Sequence, residues 1–382
     1  MTKQSNGRSR TVQRIKSVIF LLSIILIFVY LGCKMGAGNM LNTVMQTSYH
    51  LLLETVFYIM AITVLSGALG NVLVEFGVVR MVERMLRPLM KPLYNLPGAA
   101  ALGSILTFLS DNPAIITLSK DKNFAQYFKK YQLVSLTNFG TAFGMGLIVI
   151  LFMTSQGFMA GGLIGFLGAI IGSIISTRLM QRFTLKDYPE LNNAVVEENH
   201  DMEISDRPHE DGVFLRFLNS ILDGGKSGVE IGMSIIPGVL IISTFVMMLT
   251  FGAPEGGYSG GAYEGVPILA QIAEKLNWLL SGLFGFESPQ LIAFPITSLG
   301  AVGAALGLVP KFIEQGIIDN NVIAVFTAMG MCWSGFLSTH AAMLDILNHR
   351  ELISKAILAH TIGGFLAGIA AHWLFVLFDV IF

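Results

Sequence analysis

Charge is the scarcest commodity in this sequence. Only 13% of the 382 residues are Asp, Glu, Lys or Arg, too few to clothe a soluble globule of that size. A formal net charge of -1 supplies no electropositive face, so no nucleic-acid partner is expected. There are two cysteines, Cys33 and Cys332, each in or beside an apolar run, which excludes a disulfide framework and a zinc pattern. HExxH, Walker A and catalytic Ser or Cys motifs are missing. An enzyme, a metal centre and an organic cofactor are therefore not expected. What is abundant is apolar: 53% of residues are hydrophobic and the mean hydropathy is +0.67. Such a chain is a polytopic membrane protein.

Length and apolarity place full spans at about 17 to 33, 51 to 72, 132 to 154, 157 to 178, 229 to 251, 320 to 338 and 356 to 379, seven in all. The first follows Lys3, Arg8, Arg10, Arg14 and Lys16 and reads as an uncleaved signal anchor in preference to a signal peptide, because no small-x-small cleavage site follows it. Two further apolar runs are interrupted. Pro97 to Ser119 is broken at Ser110-Asp111-Asn112-Pro113, and Pro289 to Val309 is broken by a run of small residues. A carboxylate, a carboxamide and a proline suit a hairpin tip buried in protein better than the middle of a lipid-facing helix. Each broken run follows an amphipathic segment, NVLVEFGVVRMVERMLRPLMKPL and VPILAQIAEKLNWLL, with Trp278 as an interfacial anchor.

Charge orients the runs. If neither broken run crosses, only Lys34, Lys275 and Lys311 of the 24 basic residues lie outside, a strong positive-inside bias. The first run is then re-entrant from the cytoplasm and the second from outside, with the N-terminus inside and the C-terminus outside the cytoplasmic membrane. The order span, amphipathic helix, broken run, span, span occurs twice. Thr141-Ala-Phe-Gly-Met-Gly146 returns as Thr327-Ala-Met-Gly-Met-Cys332, Gly165-Phe-Leu167 as Gly364-Phe-Leu366, Glu54 as Glu230 and Pro97 as Pro289. The fold class expected is an all-α polytopic membrane protein with two inverted repeats, about seven full spans and two re-entrant helical hairpins. The divisions are 1–50 (anchor and outside loop), 51–182 (first repeat), 183–227 (a polar, acidic cytoplasmic linker) and 228–382 (second repeat). His200 and His209 in the linker read as solvated loop residues before metal ligands.

The stretch LYNLPGAAALGSILTFLSDNPAIITLSKD, after a span and an amphipathic helix, resembles the nucleoside recognition, or Gate, domain. That domain is shared by concentrative nucleoside transporters, ferrous-iron permeases and spore maturation membrane proteins. The resemblance covers about 51 to 130 and, without the Asp-Asn-Pro and with a Gly-rich insertion GAPEGGYSGGAYEG, about 228 to 315. It implies a hairpin-gated or elevator-like carrier.

Among the polar residues, Asp111 and Ser110 are the ion-coupling candidates, since a tip carboxylate with freed carbonyls can hold Na+ or a proton. Asn112, Asn138, Thr141, Thr297, Ser298, Thr327 and Ser334 are the substrate-binding candidates. The alternatives are an Asn/Asp cap on the helix from Ala114 and, for the hydroxyls, helix-packing glue. Two tips of inverted repeats should meet near mid-membrane, bringing Asp111 and Asn112 to Thr297 and Ser298. Glu54 and Glu230 read as span-end carboxylates that reach the interface. His340, Asp345 and His349 form a group past a span without a metal signature, and the glycines from Gly165 to Gly172 serve close helix packing. The expected function is secondary transport of a small polar solute, nucleoside-like, coupled to Na+ or H+; a non-transporting assembly factor is the alternative. The expected partners are that solute and the lipid bilayer, and a homo-oligomer is compatible with the pattern.

Overall fold

The computed structural model describes residues 3–193 and 212–381; Arg207, His200 and His209 lie outside the described residues. Every regular element among the described residues is helical. Six helices are long and apolar enough to cross a bilayer: Ile15–Met35, Ala37–Glu75, Lys130–Ser155, Met159–Asp187, Val213–Thr250 and Arg350–Ile381. A bent pair, Asn277–Phe284 and Pro289–Ser298 at 73°, would make seven. The chain is a multi-pass membrane protein.

Two expectations from sequence need correction. The span expected at 320–338 is a helix of 13 residues, Asn320–Cys332, that stops at a turn and restarts as Ser338–Ile346. A hydropathy window cannot see that stop, because Trp333, Gly335 and Phe336 are as apolar as a helix interior. The outside loop expected before residue 51 is also helical. Ala37–His50 runs through a π-helical turn, Leu51–Val56, into Phe57–Glu75. The resulting 39-residue helix is about 58 Å long, roughly twice the hydrocarbon thickness. Its polar residues misled because they are spent on tertiary contacts: Asn39 donates to the Tyr258 carbonyl at 3.1 Å, Asn42 to that of Gly260 at 2.9 Å, and Thr47 Oγ1 accepts the Tyr263 amide at 2.9 Å.

Those contacts seat the Gly-rich insertion on the protein. Within it the buried Glu264 carboxylate accepts the amides of Ser259, Gly260 and Gly261 and the Ser259 hydroxyl. Burial raises its pKa, but the Ser259 hydroxyl and the three amides outweigh that and leave it below the usual glutamate value of 4.5.

The interior is organised by close helix pairs. Met159–Asp187 packs along both Asn320–Cys332 and the C-terminal Ile353–Ile381, and Val213–Ser234 packs along Phe57–Glu75. Glycine permits both approaches. A Cβ at Gly165 would lie 2.5 Å from the Ala324 carbonyl oxygen, one at Gly172 2.5 Å from that of Gly363, and one at Gly228 2.2 Å from that of Thr63. The Gly165 to Gly172 run therefore serves helix packing, as expected. Thr63 Oγ1 also donates across the second seam to the Gly228 carbonyl at 2.7 Å. The N-terminal span lies at the edge, with only 11% of its window buried.

Short arms make up the broken runs. The first hairpin has arms Ala100–Leu109 and Pro113–Lys120, and the amphipathic helix Val78–Leu89 precedes it. The second comprises Ala293–Ser298 and Val302–Leu306. No arm approaches the ~20 residues of a span.

Gly228→Ala should lower thermal stability by about 1–3 kcal/mol through overpacking. Gly225→Ala, whose added Cβ meets only Val64 at 3.7 Å, should be neutral or slightly stabilising; differential scanning of both variants in detergent checks this. For the insertion, protonation of Glu264 removes an acceptor that four donors use. Its contribution is present above the usual value of 4.5 and lost as pH falls through the lower value held in the fold. Amide exchange at residues 259–261, corrected for its intrinsic pH dependence, should be slow at neutral pH and quicken only as pH falls well below the usual value of 4.5, and Glu264→Gln should be fast throughout.

Candidate functional site

Three helices break at one place. The first hairpin turns at Ser110, where the backbone leaves the helical region (φ -126, ψ -107), and restarts with Pro113 in its first turn. Lys130–Thr141 stops at a turn over 142–145, where Met145 is left-handed at φ 56, and restarts at Gly146. Asn320–Cys332 stops at the turn containing Ser334 and Gly335. The Asn112 side chain joins them. Its amide donates to Ser334 Oγ at 3.2 Å, and that hydroxyl donates to the Thr141 carbonyl at 3.0 Å. The Thr141 carbonyl, which the turn leaves with the Gly144 amide at 3.3 Å, thereby gains a second donor from another break, itself steadied from a third.

Glycines make room for this. A Cβ at Gly144 would lie 2.4 Å from Ser334 Oγ and 2.5 Å from Asn112 Oδ1; one at Gly335 would lie 2.2 Å from Thr339 Oγ1 and 2.5 Å from Asn112 Nδ2. Asn112 is buried in a slot between two glycine backbones. It does not cap the helix that follows: the Ala114 amide goes to the Asp111 backbone carbonyl at 3.0 Å, and no side-chain cap is made. Two acceptors remain. Asn112 Oδ1 and Asp111 Oδ1 are buried without a hydrogen-bond partner.

The other sequence candidates divide. Ser110 is spent on its own helix, donating to the Leu106 carbonyl at 2.6 Å. Asn138 and Thr141 share a helix but not a role. Asn138 donates to Ser176 Oγ and to the Ala356 carbonyl, both at 2.9 Å, tying three helices together, whereas the Thr141 hydroxyl returns to the Thr137 carbonyl and only its backbone enters the cluster. Thr327 and Ser334 do not share a helical face, because the helix between them ends at Cys332. Thr327 instead faces Gly165, with its hydroxyl buried and unpartnered. The repeat of Thr141–Gly146 as Thr327–Cys332 is thus out of step with the structure: Thr141 ends its helix, and Thr327 lies inside an unbroken one.

Thr297 and Ser298 donate to the Ala293 and Phe294 carbonyls at 2.7 and 2.9 Å. No hydrogen bond links them to Asp111 or Asn112 among the described residues. A hydroxyl inside a helix can satisfy itself on its own preceding turn, so a polar letter there does not point to a ligand. The second hairpin packs instead on the π-helical segment Gly238–Ser243, where Ser243 donates to the Ala304 carbonyl at 2.7 Å, and on Asn320–Cys332 through Phe294 stacked on Phe326 at 4.0 Å.

The His340, Asp345 and His349 group does not assemble. Asp345 pairs with Arg350 and His349 with Glu351, while His340 is fully buried with its ring 4.6 Å from that of His360. His360 Nδ1 bonds Ser176 Oγ at 2.9 Å and its Nε2 contacts the Cys332 carbonyl; both nitrogens of His340 lack partners. Glu54 and Glu230 are exposed, Glu54 beside His50 at 3.2 Å. No group of three metal-ligating side chains occurs among the described residues. The signal overlooked was glycine: Gly144 and Gly335 sit in otherwise helical apolar runs, where a glycine marks a close approach.

Residues 52–157 match the family model of the Gate domain, described as nucleoside recognition. The matched Gate segment holds Asp111, Asn112 and Thr141 and ends well before Ser334. No curated protein matches the chain in sequence. Its fold is similar to solved structures of CNTnw, a concentrative nucleoside transporter. To the inward-facing substrate-bound state the identity is 13% and the TM-score 0.54, over 98% of this chain and 87% of that one. To an outward-facing state of a substituted form the values are 11% and 0.53, over 99% and 87%. At such identity the likeness establishes the fold alone.

The Asn112 to Ser334 bond can be isolated by a double-mutant cycle. Asn112→Ala with Ser334→Ala should show a coupling of about 0.5–3 kcal/mol in unfolding experiments, whereas Asn112→Ala with Thr297→Ala should be additive within about 0.5 kcal/mol.

Proposed function

We propose that this protein is a secondary transporter of a small polar solute of nucleoside type, worked by its first broken hairpin and coupled to Na+ or H+. One observation carries the reading. Two buried acceptors, Asp111 Oδ1 and Asn112 Oδ1, stand unpartnered where three broken helices meet. Each costs about 1–3 kcal/mol while unsatisfied. A solute bringing N–H or O–H donors, or a cation, recovers that energy, so the site favours such a ligand over an apolar one. The Gate match over this hairpin and the CNT-like fold support the nucleoside class. In this reading Asn112 holds the solute and Asp111 the ion or proton, with Ser334 and the Thr141 carbonyl orienting Asn112. The two halves are inverted repeats with re-entrant hairpins, and Asn320–Cys332 with Ser338–Ile346 crosses as one broken span, which leaves the N-terminus inside and the C-terminus outside, as the distribution of basic residues favours.

Reconstituted protein should take up labelled nucleoside into liposomes faster when a Na+ or a proton gradient is imposed. Asn112→Ala should reduce uptake at least about ten-fold, the worth of one buried hydrogen bond to a polar solute. Asp111→Asn should leave the fold intact and make uptake indifferent to the gradient. Uptake no greater than in protein-free liposomes for any nucleoside or base, with normal thermal stability, would withdraw transport in favour of the assembly role.

A further inference from the structure

A cavity lies apart from the polar cluster. It encloses about 470 Å³ beneath the amphipathic helix Val78–Leu89, a volume in the range of ligand pockets. Its walls come from that helix (Val82, Leu86), from the first hairpin arm (Ile105, Phe108) and from Phe139 and Ile170 on two spans. Its mouth is marked by Leu89 and Leu93, 44% and 38% exposed. The two polar side chains on the wall are already bonded: Tyr94 to Ser173 Oγ at 2.6 Å and Ser104 to the Ala101 carbonyl at 2.9 Å. No side chain on it is left with a free hydrogen-bonding group to recognise a sugar or any other polar solute. A hydrocarbon chain loses nothing by entering.

The helix over the cavity also selects by charge. Arg80, Arg84 and Arg87 recur on it at spacings of four and three, which puts them in one stripe, and Lys91 follows in the π-helical turn Met90–Tyr94; the single acid of the helix, Glu83, is buried and paired with Arg87 at 2.9 Å. Hydrocarbon below and a basic stripe along the same helix match the two ends of an anionic phospholipid.

We propose that this cavity is a binding site for one acyl chain of an anionic phospholipid, whose headgroup is held by the basic stripe, and that the bound lipid braces the first hairpin. Bracing follows from the wall. Ile105 and Phe108 belong to the arm that ends at Ser110, and Phe108 fills the space where a Cβ at Gly146 would come within 2.3 Å of its ring. Phe108 therefore connects the cavity to the helix break that holds the Thr141 carbonyl. The inference stands apart from the identity of any transported solute.

Native mass spectrometry of the full-length protein, exchanged into phosphatidylglycerol or phosphatidylcholine of identical acyl chains, tests it. Wild type should retain one phosphatidylglycerol in preference to phosphatidylcholine. Arg84→Gln and Lys91→Gln should each reduce that preference by about five-fold. Val82→Trp, or Ile170→Phe on the opposite wall, should abolish retention; whichever variant keeps the wild-type melting profile in detergent is the one scored. Amide exchange over residues 100–109 should quicken when the lipid is removed. Undiminished retention in a correctly folded cavity-filled variant, equal retention of both phospholipids, or equal retention of oleate alone would overturn the site; unchanged exchange in the arm would overturn the bracing.

Discussion

A helix that stops inside a membrane leaves carbonyl and amide groups that lipid cannot bond. That constraint accounts for most of this architecture. The breaks after Leu109, Thr141 and Cys332 must be surrounded by protein, and the cheapest arrangement is to let them satisfy one another. Asn112, Ser334 and the Thr141 carbonyl do so. A carboxamide suits this role because it can donate to one break while keeping its oxygen for a ligand.

The glycine seams follow from the same demand. A broken helix is held where its neighbours come close: backbone contact of Gly165 seats Asn320–Cys332, while Gly172 and Gly228 bring together unbroken helices around it, all without directional bonds. Gly144 and Gly335 repeat the device on a smaller scale around one side chain. Asn138, bonded to Ser176 and the Ala356 carbonyl, then fixes the register between helices that smooth apolar faces would leave free to slide. The bonds that hold the breaks together leave Asp111 Oδ1 and Asn112 Oδ1 at the tip without a partner, as they leave Asn138 Oδ1.

The flanks answer to different forces. The Gly-rich insertion packs Tyr258 and Tyr263 on the protein and is ordered within by a carboxylate, Glu264, that gathers its amides. The amphipathic helix over the first hairpin has a basic stripe and an apolar underside and spans a cavity that only hydrocarbon suits.

Composition and hydropathy were enough to establish an all-helical, multi-pass membrane protein, because the hydrophobic requirement for crossing a bilayer is written in single-chain periodicity and length. The interruption at Ser110-Asp111-Asn112-Pro113 was equally legible, since proline and a carboxylate cannot continue a lipid-facing helix. Legibility failed where a residue's partner decides its meaning. The stop after Cys332 is apolar in sequence. Asn39, Asn42 and Thr47 look like loop residues and are helical because the insertion supplies their partners. Thr297 and Ser298 look like a site and serve their own helix, and His340 looks peripheral and is wholly buried. A polar side chain carries its hydrogen-bonding capacity in its covalent structure, but which donor it meets depends on residues far away in the chain. Tertiary structure alone chose Asn112, Ser334 and the Thr141 carbonyl to meet, and left two oxygens unanswered.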